Sequence, residues 1–450
     1  MSETLEQWIA RESAHAAHAM LRSVSATNIV KERPGFGQTV RPVAGSVVAS
    51  PVLAAYDPEP DYFFHWFRDS ALVMDAVRVL YETGRLGEEA LTHFADFVRF
   101  TLSLRRLDGR ALLERPDWRR NVRPEFEQYV RSDDLGAVAD DAVYAEARVN
   151  PDATLDISRW SRPQHDGTPL RALVVLRWLN ALSARQKFPE LPPGVLADAE
   201  RLLRNDLTLT AAHWRARSFD IWEEELGLHY YTLRVSAAAL ARGAEWLQRA
   251  GEPHAGDTLR AQAHTIRGTL DDFWMSEGNY YASRRLPPGT ASPKTLDIAV
   301  ILGAVHSADD DETHSARDPR MHATLGRLER LFGNAYAINR DRPPGRGIAM
   351  GRYEGDAYYA GGAYYFATLG AAELCFRAAA TMPAAEAGRA CWLARGDGFL
   401  EAVRAYTPAD GSLAEQFDQR TGQPASAREL SWSYAALLSC VAARAVVVAP

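Results

Sequence analysis

Apolar residues recur along most of the chain every three to four positions, the period of a helix with one buried face, and two-residue alternation typical of strands is scarce. The pattern predicts helices over roughly 4–24, 70–83, 86–106, 169–186, 194–216, 229–250, 256–275, 293–306, 319–333, 361–380, 384–406 and 430–446. Loops rich in Gly, Pro and Asp separate them. The helical stretches are of two kinds. Some, such as Ala71-Leu72-Val73-Met74-Asp75-Ala76-Val77-Arg78-Val79-Leu80, are apolar nearly all round and read as buried, whereas 256–275 keeps a charged face. Alternation of the two kinds over about six hairpins is what two concentric rings of helices produce. The expected fold is therefore all-α, a single-domain (α/α)6 toroid over 1–450 with about twelve helices. Such a ring spreads its core between two layers and so passes the usual size limit of one compact core.

The segment 107–167 has little helical pattern; within it Arg115-Pro116-Asp117-Trp118 and Arg131-Ser132-Asp133-Asp134 read as turns or extended chain. A loop of this length usually serves function. The polar runs 307–312 and 340–345 read as solvated connections.

Five polar-aromatic clusters stand directly before predicted helices. They are Asp61-Tyr62-Phe63-Phe64-His65-Trp66-Phe67-Arg68-Asp69, Trp160-Ser161-Arg162-Pro163-Gln164-His165-Asp166-Gly167, Trp222-Glu223-Glu224-Glu225, Arg352-Tyr353-Glu354-Gly355-Asp356-Ala357-Tyr358-Tyr359, and the loop around Glu415. In a toroid with parallel inner helices these loops open at one end, which is the expected pocket. Helix capping is the plain alternative: Thr168 and Pro169 fit N-cap and first helical position, and Asp69 or Ser70 could cap the helix after the first cluster. A cap needs only one oxygen, however, and these loops repeat Trp or Tyr, Arg and Asp together.

The run Ser218-Phe219-Asp220-Ile221-Trp222-Glu223-Glu224-Glu225 suggests a general acid. An indole wall at Trp222, with repulsion from Glu224 and Glu415, is expected to keep Glu223 protonated against the opposing pull of a helix N-terminus. Its partner would be Glu415 in Gly411-Ser412-Leu413-Ala414-Glu415-Gln416-Phe417-Asp418, brought close only by the fold. An acid and a base in one pocket suit glycoside hydrolysis. Phosphate loops, dinucleotide fingerprints, HExxH and GxSxG are all absent. The 12 His are scattered, so His65 and His165 read as hydrogen-bonding residues rather than metal ligands, and neither metal nor cofactor is expected.

Composition narrows the partners. With 47% hydrophobic and 24% charged residues the chain has an ordinary globular mixture. A formal charge of −7, and no basic cluster interleaved with aromatics, argue against nucleic acid and for an uncharged ligand. The aromatics, 11 Trp, 17 Tyr and 16 Phe, supply faces on which sugars stack. Three cysteines without a CxxC pair read as reduced thiols. With no leader-like N-terminus and no apolar run of membrane length, the expected setting is cytoplasmic, without a membrane partner.

These segments resemble, in order and over most of the chain, the glucoamylase family, family 15 of the glycoside hydrolases. Tyr62-Phe63-Phe64-His65-Trp66-Phe67-Arg68-Asp69-Ser70 is similar to the family's YxYxWxRDS, and the cluster from Trp160 to WGRPQRDG. Asp220-Ile221-Trp222-Glu223-Glu224 resembles DLWEE, Gly351-Arg352-Tyr353-Glu354-Gly355-Asp356-Ala357-Tyr358-Tyr359 resembles GRYPEDTYY, and the segment around Glu415 resembles GSLSEQYD. Ala427-Arg428-Glu429-Leu430-Ser431-Trp432-Ser433-Tyr434-Ala435-Ala436 is similar to ARDLTWSYAA. The resemblance implies an (α/α)6 barrel and an inverting, exo-acting hydrolase that removes single glucose units from non-reducing ends. It makes Glu223 the acid and Glu415 the base. Arg68, Asp69 and Arg352 would hold the terminal glucose, and Glu224 the sugar on the leaving side. Tyr62, Trp66, Trp160 and Trp432 would shape the pocket and Gln416 would support the water site, while Arg162, Trp222 and Asp356 of the same motifs join the substrate-binding candidates.

The departures bear on substrate. Phe64 stands where the family has Tyr, removing a hydroxyl near the terminal sugar; Ser161 and His165 replace Gly and Arg; and Ala360-Gly361-Gly362-Ala363-Tyr364 lacks the family's Asn residues and Trp. Neither a starch-binding module nor the N-terminal β-domain of bacterial relatives is expected. Short α-gluco-oligosaccharides, α-1,4 or α-1,6, are therefore expected rather than starch granules. A trehalase of the same family, a same-fold lyase or epimerase working through Tyr or His, and a non-catalytic glycan-binding protein are the alternatives.

Overall fold

The computed structural model describes residues 3–56, 58–131, 134–184, 191–309 and 311–449. Ser132, Asp133, Arg185, Gln186 and Asp310, on which parts of the expectations above fall, lie outside them. The helices are α1 (Leu5–Leu21), α2 (Phe67–Glu82), α3 (Glu89–Ser103), α4 (Gly109–Glu114), α5 (Gly167–Ser183), α6 (Val195–His213), α7 (Tyr230–Arg249), α8 (Pro253–Asp271), α9 (Ala299–Ser307), α10 (Pro319–Ala335), α11 (Tyr365–Ala380), α12 (Ala387–Tyr406) and α13 (Ser431–Val448). Every predicted stretch overlaps one of them; the short α4 has no counterpart among the predicted stretches.

Six helices close a ring. α2 packs on α5, α5 on α7, α7 on α9, α9 on α11, α11 on α13, and α13 back on α2. The others pack outside, among them α1 on α13, α6 on α5, α8 on α7 and α12 on α11. Sequence decides which ring a helix joins. α11 is buried nearly throughout, from Tyr365 to Ala379, because its surface is almost entirely apolar or small. Outer α10 buries only a stripe at helical spacing, Met321, Thr324, Leu325, Leu328 and Phe332. This is the expected (α/α)6 toroid.

Among the described residues α13 is long and apolar enough to cross a membrane, with a mean hydropathy of 1.5, contrary to the expectation that no stretch reaches that length. In the fold its Trp432, Tyr434, Leu437 and Leu438 are buried within the ring, between α2 and α11. The same composition serves a core helix.

Two inner helices start later than periodicity predicts. Residues 293–298 form turns and bends, with Ser283 N–H donating to Thr295 O at 2.8 Å and Asp297 bridging to Tyr353, so α9 begins at Ala299. α11 begins at Tyr365 because Ala363–Tyr364 pairs antiparallel with Gln416–Phe417, which pairs in turn with Pro424–Ala425. Similar short ladders precede α2, where His65–Trp66 pairs with Arg148–Val149, and α7, where Ser218–Phe219 pairs with the start of Leu226–His229. They fix the loops at one end of the ring.

The expected caps are not there. α5 begins at Gly167, ahead of Thr168 and Pro169, and Asp69 and Ser70 lie inside the first turn of α2, whose cap position is Trp66. Among the described residues the first N–H of inner α9 is bonded by a side chain, Ala299 to Asp297 Oδ1 at 2.8 Å, while the other inner helices have no side-chain cap bond; Thr4 and Asp318 cap outer α1 and α10, and outer α3, α6, α8 and α12 have none.

Inner α5 and outer α6 are joined by a buried pair, Arg171 Nη2 to Asp206 at 2.6 Å and Nε at 2.9 Å. Burial pushes the Asp206 carboxyl up to about 6 even with this partner. Arg171→Met should therefore lower unfolding stability by roughly 3–5 kcal/mol in denaturant titration, and adding Asp206→Leu should recover most of the loss.

Candidate active site

A cavity of about 550 Å3 opens where the inner helices begin. Trp66, Arg68 and Asp69 reach it from the start of α2, and Trp160 and Ser161 from the segment before α5. Trp222, Glu223 and Glu224 come from the turn before α7, Arg352, Tyr358 and Phe366 from around the start of α11, and Glu415 and Trp432 from around the start of α13. Tyr62 completes the wall. The loops expected to share one end do share it.

Glu223 is set by its own turn. The Asp220 carboxylate accepts backbone N–H bonds from Trp222 at 2.8 Å, Glu224 at 3.2 Å and Glu225 at 3.0 Å, and Arg284 pins it at 3.2 Å. Glu223 sits at the top of this staple with φ +67, a left-handed backbone unusual for a side chain of its size. Strain of this kind collects at functional sites. Trp66 Nε1–H donates to Glu223 Oε1 at 2.8 Å, Trp160 Nε1–H donates to Oε2, and Arg68 Nη2 stands 3.5 Å from Oε1. Ser161 Oγ donates to the Glu223 carbonyl.

The environment expected around Glu223 is therefore different in kind. Trp222 is no wall to it: its Nε1–H donates to Asp297 at 2.9 Å and its ring stacks near Phe366 and Trp432. Glu224 is neutralised rather than repelling. It accepts from Tyr353 at 2.6 and 2.7 Å, from Lys294 at 2.7 Å and from Arg352 at 3.1 Å. The indoles that reach Glu223 are Trp66 and Trp160, whose ring centroids lie 6.2 Å apart.

Glu415 is held by hydroxyls. Tyr62 donates to its oxygens at 3.3 and 3.4 Å, Ser426 Oγ donates to Oε2, and Tyr358 OH lies 2.8 Å from Tyr62 OH. Burial pushes this carboxyl up to about 7, against the bonds from Ser426 and Tyr62 and the charge of Arg352. The rings of Tyr62 and Trp66 stand 5.1 Å apart, and each binds one carboxyl.

Deeper in the cavity, Arg68 lies 3.4 Å from both Asp69 and Asp166. Burial, with the charges of Glu223 and Asp166 adding to it and Arg68 opposing, holds the Asp69 carboxyl up at about 6. Asp69 Oδ2, Arg68 Nε and Trp432 Nε1 are buried without a hydrogen-bond partner in the protein, and the Arg68–Asp69 ion pair lacks hydrogen-bond alignment. A ligand rich in hydroxyls would satisfy such atoms, whose burial unpaired is costly.

Three sequence candidates stand behind the wall. Arg162 is taken up by Glu146 at 2.6 Å and Asp156 at 3.0 Å, bracing the loop that carries Trp160. Asp356 clamps Arg352 at 2.5 and 2.7 Å. Gln416 Nε2 donates to Tyr364 OH at 2.8 Å and Tyr358 O at 3.1 Å, supporting the Tyr358 side of Glu415. Phe64 does not border the cavity either; its ring lies between Arg33 and Arg148 at 3.7 and 4.0 Å, so the missing hydroxyl is not missed there. His65 accepts from Val47 N–H, and His165 stacks on His213 at 5.1 Å. Tyr358, Ser426, Tyr353, Lys294 and Asp297 were not singled out from sequence. Tyr358 and Tyr353 lie within a quoted cluster, but Ser426, Lys294 and Asp297 carry no local sign of what they touch. Among the described residues no cluster of His, Cys, Asp and Glu is grouped as a metal site would be.

A family model described as glycosyl hydrolases family 15 matches residues 28–102, 127–391 and 392–442. The chain belongs to family 15 of the glycosyl hydrolases. It is 27% identical to glucoamylase 1 of Rhizopus oryzae, over 99% of this chain and 72% of that one. It is 26% identical to a probable glucoamylase of Schizosaccharomyces pombe, over 99% and 93%. The structure of Hormoconis resinae glucoamylase superposes with a TM-score of 0.75 at 26% identity, covering 99% of this chain and 74% of that one. This family-15 member is accordingly a hydrolase with an oligosaccharide substrate.

Glu415 gives the site a pH signature. Its pKa is raised on folding, so the stability linked to it is fully present below the unfolded value of 4.5 and is lost as pH rises through about 7. Glu415→Gln, which cannot ionise, should match wild type in unfolding stability near pH 4 and exceed it by roughly 1–3 kcal/mol at pH 8.

Proposed function

We propose that this family-15 hydrolase is an exo-acting, inverting α-glucosidase of glucoamylase type. It releases β-glucose from the non-reducing ends of α-gluco-oligosaccharides, through α-1,4 links, α-1,6 links or both. The observation that carries this reading is the pair Glu223 and Glu415 on one cavity, one bound by indole N–H groups and the other by hydroxyls. They lie behind different rings, Trp66 and Tyr62, which suits a site with room for a sugar and a water between acid and base. In the proposed reaction Glu223 protonates the glycosidic oxygen as the C1–O bond breaks. Water attacks C1 from the opposite face, and Glu415 takes the water's proton. Asp69, Arg68 and Trp432 hold the hydroxyls of the terminal glucose, which fits their unpartnered atoms. Arg352 assists in holding the terminal glucose, and Glu224 faces the leaving sugar. A cytoplasmic setting fits the cysteines, since Cys375, Cys391 and Cys440 are all unpaired.

Glu223→Gln and Glu415→Gln should each lower kcat by orders of magnitude on the best of maltose, isomaltose and trehalose while thermal unfolding stays cooperative. Near-wild-type turnover in either variant would remove that residue from the mechanism, and a preference for trehalose would replace the glucoamylase reading by a trehalase one.

A water-activating base must be ionised, so the acid limb of kcat/KM, which reports the free enzyme, should follow Glu415 toward neutral pH. Ser426→Ala removes a bond that lowers this carboxyl. The limb should then move to higher pH, whereas an unmoved limb would assign it to another group.

A further inference from the structure

Behind the indoles that hold Glu223, guanidiniums and rings alternate in the order Arg33, Phe64, Arg148, Trp160. The Arg33 guanidinium lies 3.7 Å from the centre of the Phe64 ring, and that of Arg148 lies 4.0 Å from the same ring and 3.6 Å from the centre of the Trp160 ring. Arg148 also lies 4.6 Å from the Trp66 ring. It is buried, and it stands opposite Trp66 in the ladder before α2, so backbone register brings the two together. Phe64, one of the departures from the family pattern, is a layer of this stack.

Bracing the loop that carries Trp160 accounts for one part of Arg148 only. Its Nε donates to Asp156 at 2.9 Å and its Nη2 to Ser158 Oγ at 3.1 Å. Burial pushes the Asp156 carboxyl up, but the charges of Arg148 and Arg162 outweigh it and hold the group well below the usual carboxylate range. Arg162 braces the same carboxylate at 3.0 Å. The bonds of Arg148 run along one edge of its planar head, which leaves the faces for the rings.

A cation over an aromatic face is attracted to it, and more strongly where water is excluded. Trp160 needs such a floor. It is 41% exposed and lies on chain without regular secondary structure, yet its Nε1–H must meet Glu223 Oε2. Trp66 supplies the second bond, to Oε1 at 2.8 Å. The tilt of each indole decides where these N–H groups point, and the carboxyl follows them. We propose that Arg148 is a positioning residue for the proton donor: stacked on Trp160 and Trp66, it holds the two indole N–H groups that aim Glu223 at the glycosidic oxygen. A lysine would supply the charge without the flat face or the fixed fork. This inference rests on the glucosidase reading above.

Two substrates that differ in their need for an acid test it. One is the best of maltose, isomaltose and trehalose, whose leaving sugar must be protonated; the other is 2,4-dinitrophenyl α-glucoside, whose phenolate leaves without a proton. Arg148→Met should lower kcat on the disaccharide roughly ten- to hundredfold and kcat on the aryl glucoside by less than about threefold. Arg148→Lys should show the same selective fall on a smaller scale, so the comparison stands even if the methionine variant does not fold. An equal fall on both substrates, or no fall on the disaccharide, overturns the positioning role while leaving the glucosidase reading in place. A wild-type enzyme that cleaves none of the three disaccharides overturns the glucosidase reading and this inference with it.

Discussion

Closing α2, α5, α7, α9, α11 and α13 into a ring brings their N-termini to one end, each with backbone N–H groups that lack partners within its own helix. Their dipoles add positive potential there, which favours carboxylates. A side-chain oxygen bonds the first N–H at the start of α9, Asp297 on Ala299, and among the described residues the other five have no side-chain cap bond. The entering loops are held instead by ladders two to four residues long and by the Asp220 staple. This leaves Asp69, Glu223 and Glu415 free to face the cavity. The fold and the site are thus one constraint seen at two scales.

Partner type separates the two central carboxyls. Glu223 is gripped by rigid indole N–H groups on a strained turn, which fixes its direction. Glu415 is buried among hydroxyls, and desolvation dominates its ionisation. Behind both lies a layer with no access to substrate: Asp356 on Arg352, Gln416 on Tyr358, and Arg162 on Glu146 and Asp156. Precision at the cavity depends on that layer as much as on the residues facing the ligand.

Much of this was legible in the sequence because helical periodicity is strong and the site lies on loops next to helix starts. Those loops carry unusual concentrations of Trp, Arg and Asp. What periodicity could not supply was pairing across distance. Trp222 beside Glu223 in sequence reads as its wall, yet adjacent residues point apart in a turn, and the indoles in contact come from Trp66 and Trp160. Phe64 reads as a pocket residue and instead fills a slot between two guanidiniums. Ser426 and Lys294 are unremarkable along the chain and gain meaning only beside Glu415 and Glu224. The late starts of α9 and α11 follow from a single bridge to Tyr353 and from strand pairing with Gln416–Phe417, respectively, which an apolar count does not register.

The central claim is that one carboxyl donates a proton while the other activates a water on the far face of the sugar. The anomer released before mutarotation reports this directly. Proton NMR recorded within the first minutes of cleavage of the preferred α-glucoside should show β-glucose first, relaxing later toward the equilibrium mixture. Initial release of α-glucose would contradict the account, because retention requires the second carboxyl to bond to the sugar rather than to take a proton from water.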